Sequence, residues 1–274
     1  MSTQSIYKRQ QLDEWLTLVG SVVIAYSGGI DSTYLLHRAK KILGTNQVYA
    51  VVIDSELIPQ KETQASIQQA EVLGVQVYCI PIDELNHPAI AHNRADSWYW
   101  IKHRMFDAIC HFAREQGIAT VADGTIVDDL SEFRPGLRAR DELGVKSPLA
   151  LANFTKDDVR FLAREEGLEQ WAKPSACSVI SRFVPNTLVT REMVQQVIQA
   201  EEYLQHIGIT SGRVRHHGNL ARIEVKSEDI LKLFEKRQEV QAQLERIGFA
   251  FVAMDLKGYQ SGNMTKDIKE RSGV

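Results

Sequence analysis

Short apolar runs at 22–26, 48–53, 75–80 and 118–122 alternate with stretches at 32–43, 60–73 and 97–116 whose apolar side chains recur at helical spacing. Runs rich in Val and Ile and bounded by glycine and polar residues suit buried parallel strands. Their alternation with helices predicts an α/β domain built on a doubly wound parallel sheet. In such sheets ligands bind beyond the carboxyl ends of the strands, which directs attention to 27–33, 54–56, 81–94 and 123–129. Thr155 with Asp158 marks the start of a further helix through Glu166. Between them, 131–149 is polar and irregular, with Arg134, Arg138 and Arg140 around Pro135-Gly136, and is expected to clamp an acidic ligand. Further on, 191–207 and 228–247 read as helices, and 213–216, 221–225 and 249–256 as strands. That set forms a compact α+β unit. A boundary in the irregular region 183–190 divides the chain into a larger domain, 1–185, and a smaller C-terminal α+β domain, 186–274, for substrate binding or oligomerisation.

The 274 residues suffice for a full core, and a net charge of -3 argues against a long polyanion such as nucleic acid as the main partner. No apolar stretch near the N-terminus reads as a signal peptide or membrane span, so the cytoplasm is the expected location. Cys79, Cys110 and Cys177 are widely spaced without a C-x-x-C pair, which excludes a disulfide scaffold. Cys79 lies in an apolar run and Cys110 follows Phe106 and Ile109 at helical spacing, so both are expected as small buried side chains. Cys177 lies in an irregular segment between Lys173 and Arg182, and positive neighbours favour a thiolate. From context alone a reactive thiol and a buried loop cysteine are equally open.

After the first apolar run, Ser27-Gly28-Gly29 lets the backbone turn so that amide N–H groups and the next helix N-terminus face one anion. The segment has neither the Lys of a Walker loop nor the third Gly of a dinucleotide fingerprint. With Ile30, Asp31, Ser32 and Thr33 it resembles the SGGxDS loop of the ATP pyrophosphatase, or PP-loop, superfamily. Members cleave ATP to AMP and pyrophosphate while adenylating a substrate, on an adenine nucleotide alpha hydrolase-like sheet. The resemblance assigns ATP to Ser27, Gly28, Gly29, Asp31, Ser32 and Thr33, and Asp123-Gly124 falls on the same sheet edge. Asp31 is the candidate for Mg²⁺, which takes few carboxylates and several waters.

A longer set of strings is similar to the LarE family of ATP-dependent sacrificial sulfur transferases. Beyond the phosphate loop these are Asp96-Ser97-Trp98-Tyr99, Asp123-Gly124, Arg134-Pro135-Gly136-Leu137, Ala176-Cys177-Ser178, Ser181-Arg182-Phe183, Arg213-Val214-Arg215 and Ala221-Arg222-Ile223-Glu224. What the resemblance implies is adenylation of pyridinium-3,5-biscarboxylic acid mononucleotide, attack of a cysteine thiolate, and cleavage of that cysteine's own C–S bond. Dehydroalanine remains in a protein that acts once, and the product leads to the nickel-pincer nucleotide of lactate racemase. The family also implies a homo-oligomer, with a hexamer as one form. A lone loop thiol agrees, since a persulfide relay uses a resolving cysteine and a cluster needs several thiolates.

Such a substrate carries a phosphate and two carboxylates, which suit guanidinium forks. Arg213 and Arg215 alternate along a strand and share a face, making them first choice for the phosphate. Ser181 and Arg182 offer further donors, and Trp98 a stacking surface for a pyridinium or an adenine ring, the charge of the former making it attractive. Glu201 and Glu224 are candidate bases for the elimination, with a solvated surface ion pair equally open for each. Gln260 stands where the family carries Arg, and Lys232 where a member presents an acid. Two alternatives stay open: another PP-loop enzyme, whether ammonia-using ligase or tRNA thiolase, and a nucleotide sensor without chemistry.

Overall fold

The first apolar run becomes β1 (Val22–Ala25), a central strand whose side chains are buried on both faces. Val22 and Ile24 enter one apolar cluster with Leu35 and Leu162, while Val23 enters another with Phe106 and Ile109. Period-two alternation sends neighbouring residues to opposite sides, so a strand with helices on both sides must be apolar throughout. A computed structural model describes residues 2–130, 135–168, 178–260 and 263–265. The chain divides into two compact units, Met1–Glu84 with Asp96–Cys177 and Leu85–Ala95 with Ser178–Val274. Residues 85–95 therefore belong with the C-terminal part, a thread that strand and helix periodicity did not announce.

In the first unit α1 (Ser2–Val19) precedes β1, and α2 (Ile30–Leu43), β2 (Val48–Ser55), α3 (Gln60–Val72) and β3 (Gln76–Ile82) follow it. The sheet has the order β3-β2-β1-β4, all parallel, with Val23 paired to Tyr49 on one side and Val121 on the other. In the second unit Leu85–Ala95 forms α4 (Pro88–Ala91). The chain then returns to the first unit as α5 (Ser97–Glu115), β4 (Val121–Asp123), α6 (Val127–Leu130), α7 (Pro135–Glu142), α8 (Pro148–Leu151) and α9 (Lys156–Glu165). The sequence pattern misses α1 because only Ser5, Leu12 and Leu16 are buried while Ile6, Tyr7 and Leu18 are exposed, so its apolar residues mark no single face. Its anchor is Asp158, which accepts from Ser5 Oγ at 2.7 Å and pairs with Lys8.

Three expectations are corrected. The irregular segment 131–149 contains α7 and α8, each opened by a proline at the first helical turn, where a missing N–H costs nothing. The expected clamp is absent at two of its arginines, because Arg138 stacks on Tyr99 at 4.0 Å and pairs with Glu142, while Arg140 binds Asp141 and Ser147. Arg134 lies outside the described residues. Cys79 is exposed and Cys110 half-buried, because β3 is an edge strand and α5 turns Cys110 toward the rim of its cluster. Burial, with Asp54 nearby, still pushes the Cys79 thiol up, and burial does the same to Cys110.

The second unit adds α10 (Arg191–His206), β5 (Arg213–His217), β6 (Leu220–Glu224), α11 (Ile230–Glu235), α12 (Arg237–Ile247) and β7 (Phe251–Met254). The helix expected over 228–247 breaks at Lys236 without Gly or Pro to mark it. β5 and β6 are antiparallel, and β7 joins β6 in parallel. Val214, Ala221, Ile223, Val252 and Met254 join Leu204, Leu233, Val240 and Leu244 in one core. By alternation the opposite face carries Arg213 and Arg215 of β5 with Arg222 and Glu224 of β6. Asn93, at φ 42°, directs its amide to the carbonyls of Phe183 and Val184, at 3.1 and 3.2 Å, which fastens 85–95 within this unit.

Candidate functional site

At the carboxyl end of β1 the chain reverses through Gly28, at φ 68°, and enters α2 from Gly29. A Cβ on Gly28 would lie 2.2 Å from Ser66 Oγ and 3.3 Å from its Cα, so both conformation and space require glycine. Ser32 closes the turn, its Oγ donating to Gly29 O at 3.0 Å and lying 3.1 Å from Ser27 Oγ. Thr33 is held by Gln69 at 2.8 Å and by Tyr26 at 3.1 Å. Burial pushes Tyr26 up to about 12, which keeps it neutral beside the loop. Gly29 gives α2 no side-chain cap, so its first-turn amides are open to an anion, with the Asp31 carboxylate on the same turn.

Asp31 stands on the first turn of α2. Burial raises its pKa, and Lys156 opposes that rise from 2.7 Å. Its Oδ1 is buried without a hydrogen-bond partner, a free carboxylate oxygen that fits a hard divalent cation. Among the described residues no group of three or more His, Cys, Asp or Glu converges as a metal cage. One carboxylate with water and phosphate ligands is the usual Mg²⁺ arrangement, so the donor set fits that ion.

Asp123, at the end of β4, spends its carboxylate locally. Oδ1 accepts from Thr125 N at 3.1 Å and Ser147 Oγ at 2.6 Å, and Oδ2 from Thr125 Oγ1 at 2.7 Å. The turn so fixed brings Gly124 against the phosphate loop, where a Cβ would lie 2.7 Å from Ser32 N and 2.9 Å from Ser32 Cα. Trp98 is half-buried in the first turn of α5.

In the second unit the candidate residues form two ion pairs joined through Ser181. Arg182 makes a fork with Glu201, Nε to Oε1 at 2.8 Å and the terminal nitrogen to Oε2 at 3.1 Å. Glu201 also accepts from Val214 N at 3.0 Å. Arg215 donates twice to Glu224 Oε2, at 2.8 and 2.6 Å, and Arg222 and Asn263 bind the other oxygen. Ser181 accepts from Arg182 through Oγ at 2.6 Å and from Arg215 through its carbonyl at 3.0 Å. Glu224 has no exposed surface and Glu201 is 9% exposed, so neither is a solvated surface pair. Both carboxylates are engaged by cations here. Arg213 differs: it donates to Gly212 O, lies 5.8 Å from the Tyr259 ring, and has no carboxylate partner among the described residues.

Cys177 lies outside the described residues, as does the rest of 169–177. Lys156 was missed by sequence reading, although a cation at the first position of a helix opposes the helix dipole and signals an anionic partner. Ser66 and Gln69 of α3 were missed as well, since nothing in a polar helix face announces contact with a loop on β1. Lys232 donates to Gly208 O at 2.8 Å, and Gln260 is half-buried beside Tyr259.

A parallel α/β sheet that ends its central strand in an SGGxDS turn defines the nucleotide-binding domain of a PP-loop, ATP-using protein. The family model described as NAD synthase matches residues 9–100, the part that carries this turn. The chain is 42% identical over 90% of its length, and 90% of the relative's, to the Lactiplantibacillus plantarum protein named pyridinium-3,5-bisthiocarboxylic acid mononucleotide synthase. It is also 34% identical to an uncharacterised Synechocystis protein, covering 94% of this chain and 97% of that one. A Methanocaldococcus jannaschii protein, also uncharacterised, is 30% identical over 88% of this chain and 91% of its own. The chain belongs to the LarE family of sulfur transferases. No helix among the described residues is long and apolar enough to cross a membrane.

Proposed function

We propose that this chain uses ATP and Mg²⁺ to adenylate a carboxylate of a pyridinium-3,5-dicarboxylate mononucleotide and then donates the sulfur of Cys177. The observation that carries the reading is the 42% identity over nine-tenths of both chains to a synthase whose product is named as a bisthiocarboxylate. A bisthio product contains two donated sulfurs, so two copies of a donor that spends its own cysteine are consumed per molecule made.

The residues divide the work by charge. Ser27, Gly28, Gly29, Ser32, Thr33 and the first amides of α2 hold the pyrophosphate portion, and Asp123 with Gly124 shapes the wall beside it. Asp31 would hold Mg²⁺, which when bound neutralises phosphate charge. The substrate carboxylate oxygen bonds to the α-phosphorus as pyrophosphate leaves. The Cys177 thiolate attacks the resulting acyl carbon and AMP departs, leaving a thioester. A base then takes the Cys177 α-proton, the Cβ–S bond breaks with its electrons on sulfur, and thiocarboxylate and dehydroalanine separate. Arg213 is the guanidinium free to take a substrate anion, with Trp98 as a stacking surface. Arg182 and Arg215 are held rigid by Glu201 and Glu224 with Ser181 between them. For either glutamate to serve as the base, a bound substrate anion must first draw its arginine away.

The test is intact-protein mass spectrometry after turnover with ATP, Mg²⁺ and the dicarboxylate nucleotide. Loss of one H₂S localised to residue 177 is expected. Product formed with the mass unchanged, or full activity in Cys177→Ser, overturns the sacrificial route and favours an ammonia-using ligase. Dependence on added tRNA would instead favour a thiolase, and ATP binding without pyrophosphate release a sensor. Sedimentation of the purified chain tests the homo-oligomer, and fractionation the cytoplasmic location.

A further inference from the structure

We infer that His216 is a positioning residue for Cys177, seating the segment that leads out of that cysteine against the strand of Arg213 and Arg215, and that it does so only while its ring is uncharged. The inference deepens the sulfur-donor reading, and half of its test is read without any turnover. Ser178 follows Cys177 in the chain and opens a single turn, Val179–Arg182, that ends at Phe183. This segment docks on β5 at three consecutive strand positions. Val214 N meets Glu201, which holds Arg182; Arg215 donates to the Ser181 carbonyl; and His216 forms a parallel bridge with Phe183.

The third contact is built around a buried ring. His216 is 3% exposed and lies against Phe183 and Phe249, with ring centroids 5.4 and 5.3 Å away. Gln196 of α10 gives its amide N–H to Ile247 O at 3.4 Å, so its carbonyl oxygen faces His216 Nε2 at 3.1 Å. That acceptor places the imidazole proton on Nε2. Nδ1 is buried and has no hydrogen-bond partner. A second proton would land on Nδ1 and leave a charged donor unpaired among aromatic rings, a state that burial penalises heavily.

The surroundings offer that charge no relief. Phe183, Gln196, Phe249 and Ala221, opposite on β6, are uncharged. Among the described residues His217 is the titratable group that acts on His216, and it opposes a second positive charge; His217 itself faces Arg222, Glu224 and Arg215. Burial, with His217 adding to it, lowers the His216 pKa from an ordinary 6.5. A ring released from its seat takes a proton at that ordinary value, whereas the seated ring refuses it. The seat is thus intact above about 6.5 and weakens as pH falls below it. What loosens is Phe183, and with it the turn that Cys177 enters.

The experiment is amide hydrogen exchange of the full chain at about pH 7.5 and about pH 5.5, each rate divided by that of the unfolded peptide at the same pH. Protection of the amides in 178–183 is expected to fall about tenfold on acidification, the weight of one proton over one pH unit. His216→Phe keeps a ring against Phe183 and Phe249 without a site for the proton, so its protection should be equal at both pH values. His216→Gln, which loses the ring, should lose protection at both. Single-turnover sulfur transfer is then compared as the ratio of His216→Phe to wild type, which cancels every other titration, and that ratio should rise about tenfold from the higher pH to the lower. Equal protection at both pH values in wild type, an acid loss that persists in a folded His216→Phe protein, or a transfer ratio that ignores pH overturns the inference. A chain that transfers no sulfur at any pH removes the proposed function, while the exchange result still decides whether His216 seats the segment.

Discussion

Arg215 and Glu224 meet on a diagonal across β5 and β6, with two donors on one carboxylate oxygen, 2.8 and 2.6 Å away, and Glu224 has no exposed surface. Removing one partner of such a pair strands the other in low dielectric, a cost of about 3–5 kcal/mol. Glu224→Ala is therefore expected to lower unfolding free energy by that order, measured by urea denaturation. An Arg215→Met/Glu224→Leu double variant should recover much of the loss while losing sulfur transfer. A double variant that is as unstable as the single one would show that the pair contributes more than mutual desolvation.

Arg213 should behave in the opposite way. Among the described residues it has no carboxylate to strand, so Arg213→Ala is expected to cost under about 1 kcal/mol of stability, as for a partly exposed cation. Its effect should fall on substrate binding, raising KM for the nucleotide about tenfold or more with kcat less affected. A KM unchanged in Arg213→Ala would remove Arg213 from the substrate site.

Gly124 tests the wall of the phosphate loop. Its added Cβ would meet backbone atoms of Ser32 at 2.7 and 2.9 Å, and backbone cannot swing aside as a side chain does. Gly124→Ala is expected to shift the first turn of α2 and weaken ATP binding about tenfold, more than it lowers the melting temperature. Retention of wild-type ATP affinity would show that the turn after β4 yields instead of the loop.

Glu84 is a buried carboxyl hydrogen-bonded to Ser55 at the carboxyl end of β2. Burial, with Glu56 adding to it, pushes its pKa up to about 7 from an ordinary 4.5. The folded state thus holds the proton more tightly than the unfolded chain. Its stabilising effect is complete below about 4.5 and is lost as pH rises through about 7. Glu84→Gln should be the more stable protein by about 1–3 kcal/mol in mildly alkaline buffer, the difference vanishing toward pH 4. Parallel pH–stability curves for the two proteins would contradict the raised pKa.

Glu166 has the opposite sign. Burial alone would raise it, but the His37 hydrogen bond and the Arg38 guanidinium outweigh burial and hold it at about 2. Its contribution is present above the unfolded value of 4.5 and is lost as pH falls through about 2. Glu166→Gln is expected to cost about 2–3 kcal/mol at neutral pH, with the gap narrowing on acidification. A constant gap across that acid range would mean that the loss is one of packing.

Period and punctuation made the parallel sheet legible. β1 and β2 are apolar because helices cover both faces, and the glycine pair marks the turn after β1. α1 and α7 were hidden, since one scatters its apolar residues over buried and exposed positions and the other is a short helix among arginines. The exposure of Cys79 was hidden too, because strand order is not written in a strand's own composition.

What the sequence by itself determined is the local chemistry: a β-branched strand, a turn that only glycine can make, amides opening a helix, and a family pattern spread along the chain. What only the tertiary structure decided is which charges meet. Asp31 finds Lys156 across 125 residues, Glu224 closes on Arg215, and Arg213 on the same strand as Arg215 has no carboxylate partner among the described residues. The reason is physical. Helix and strand periods follow from bonds between near neighbours, whereas the partner of a buried charge is set by whichever distant segment the core brings alongside, and burial then makes that partner obligatory.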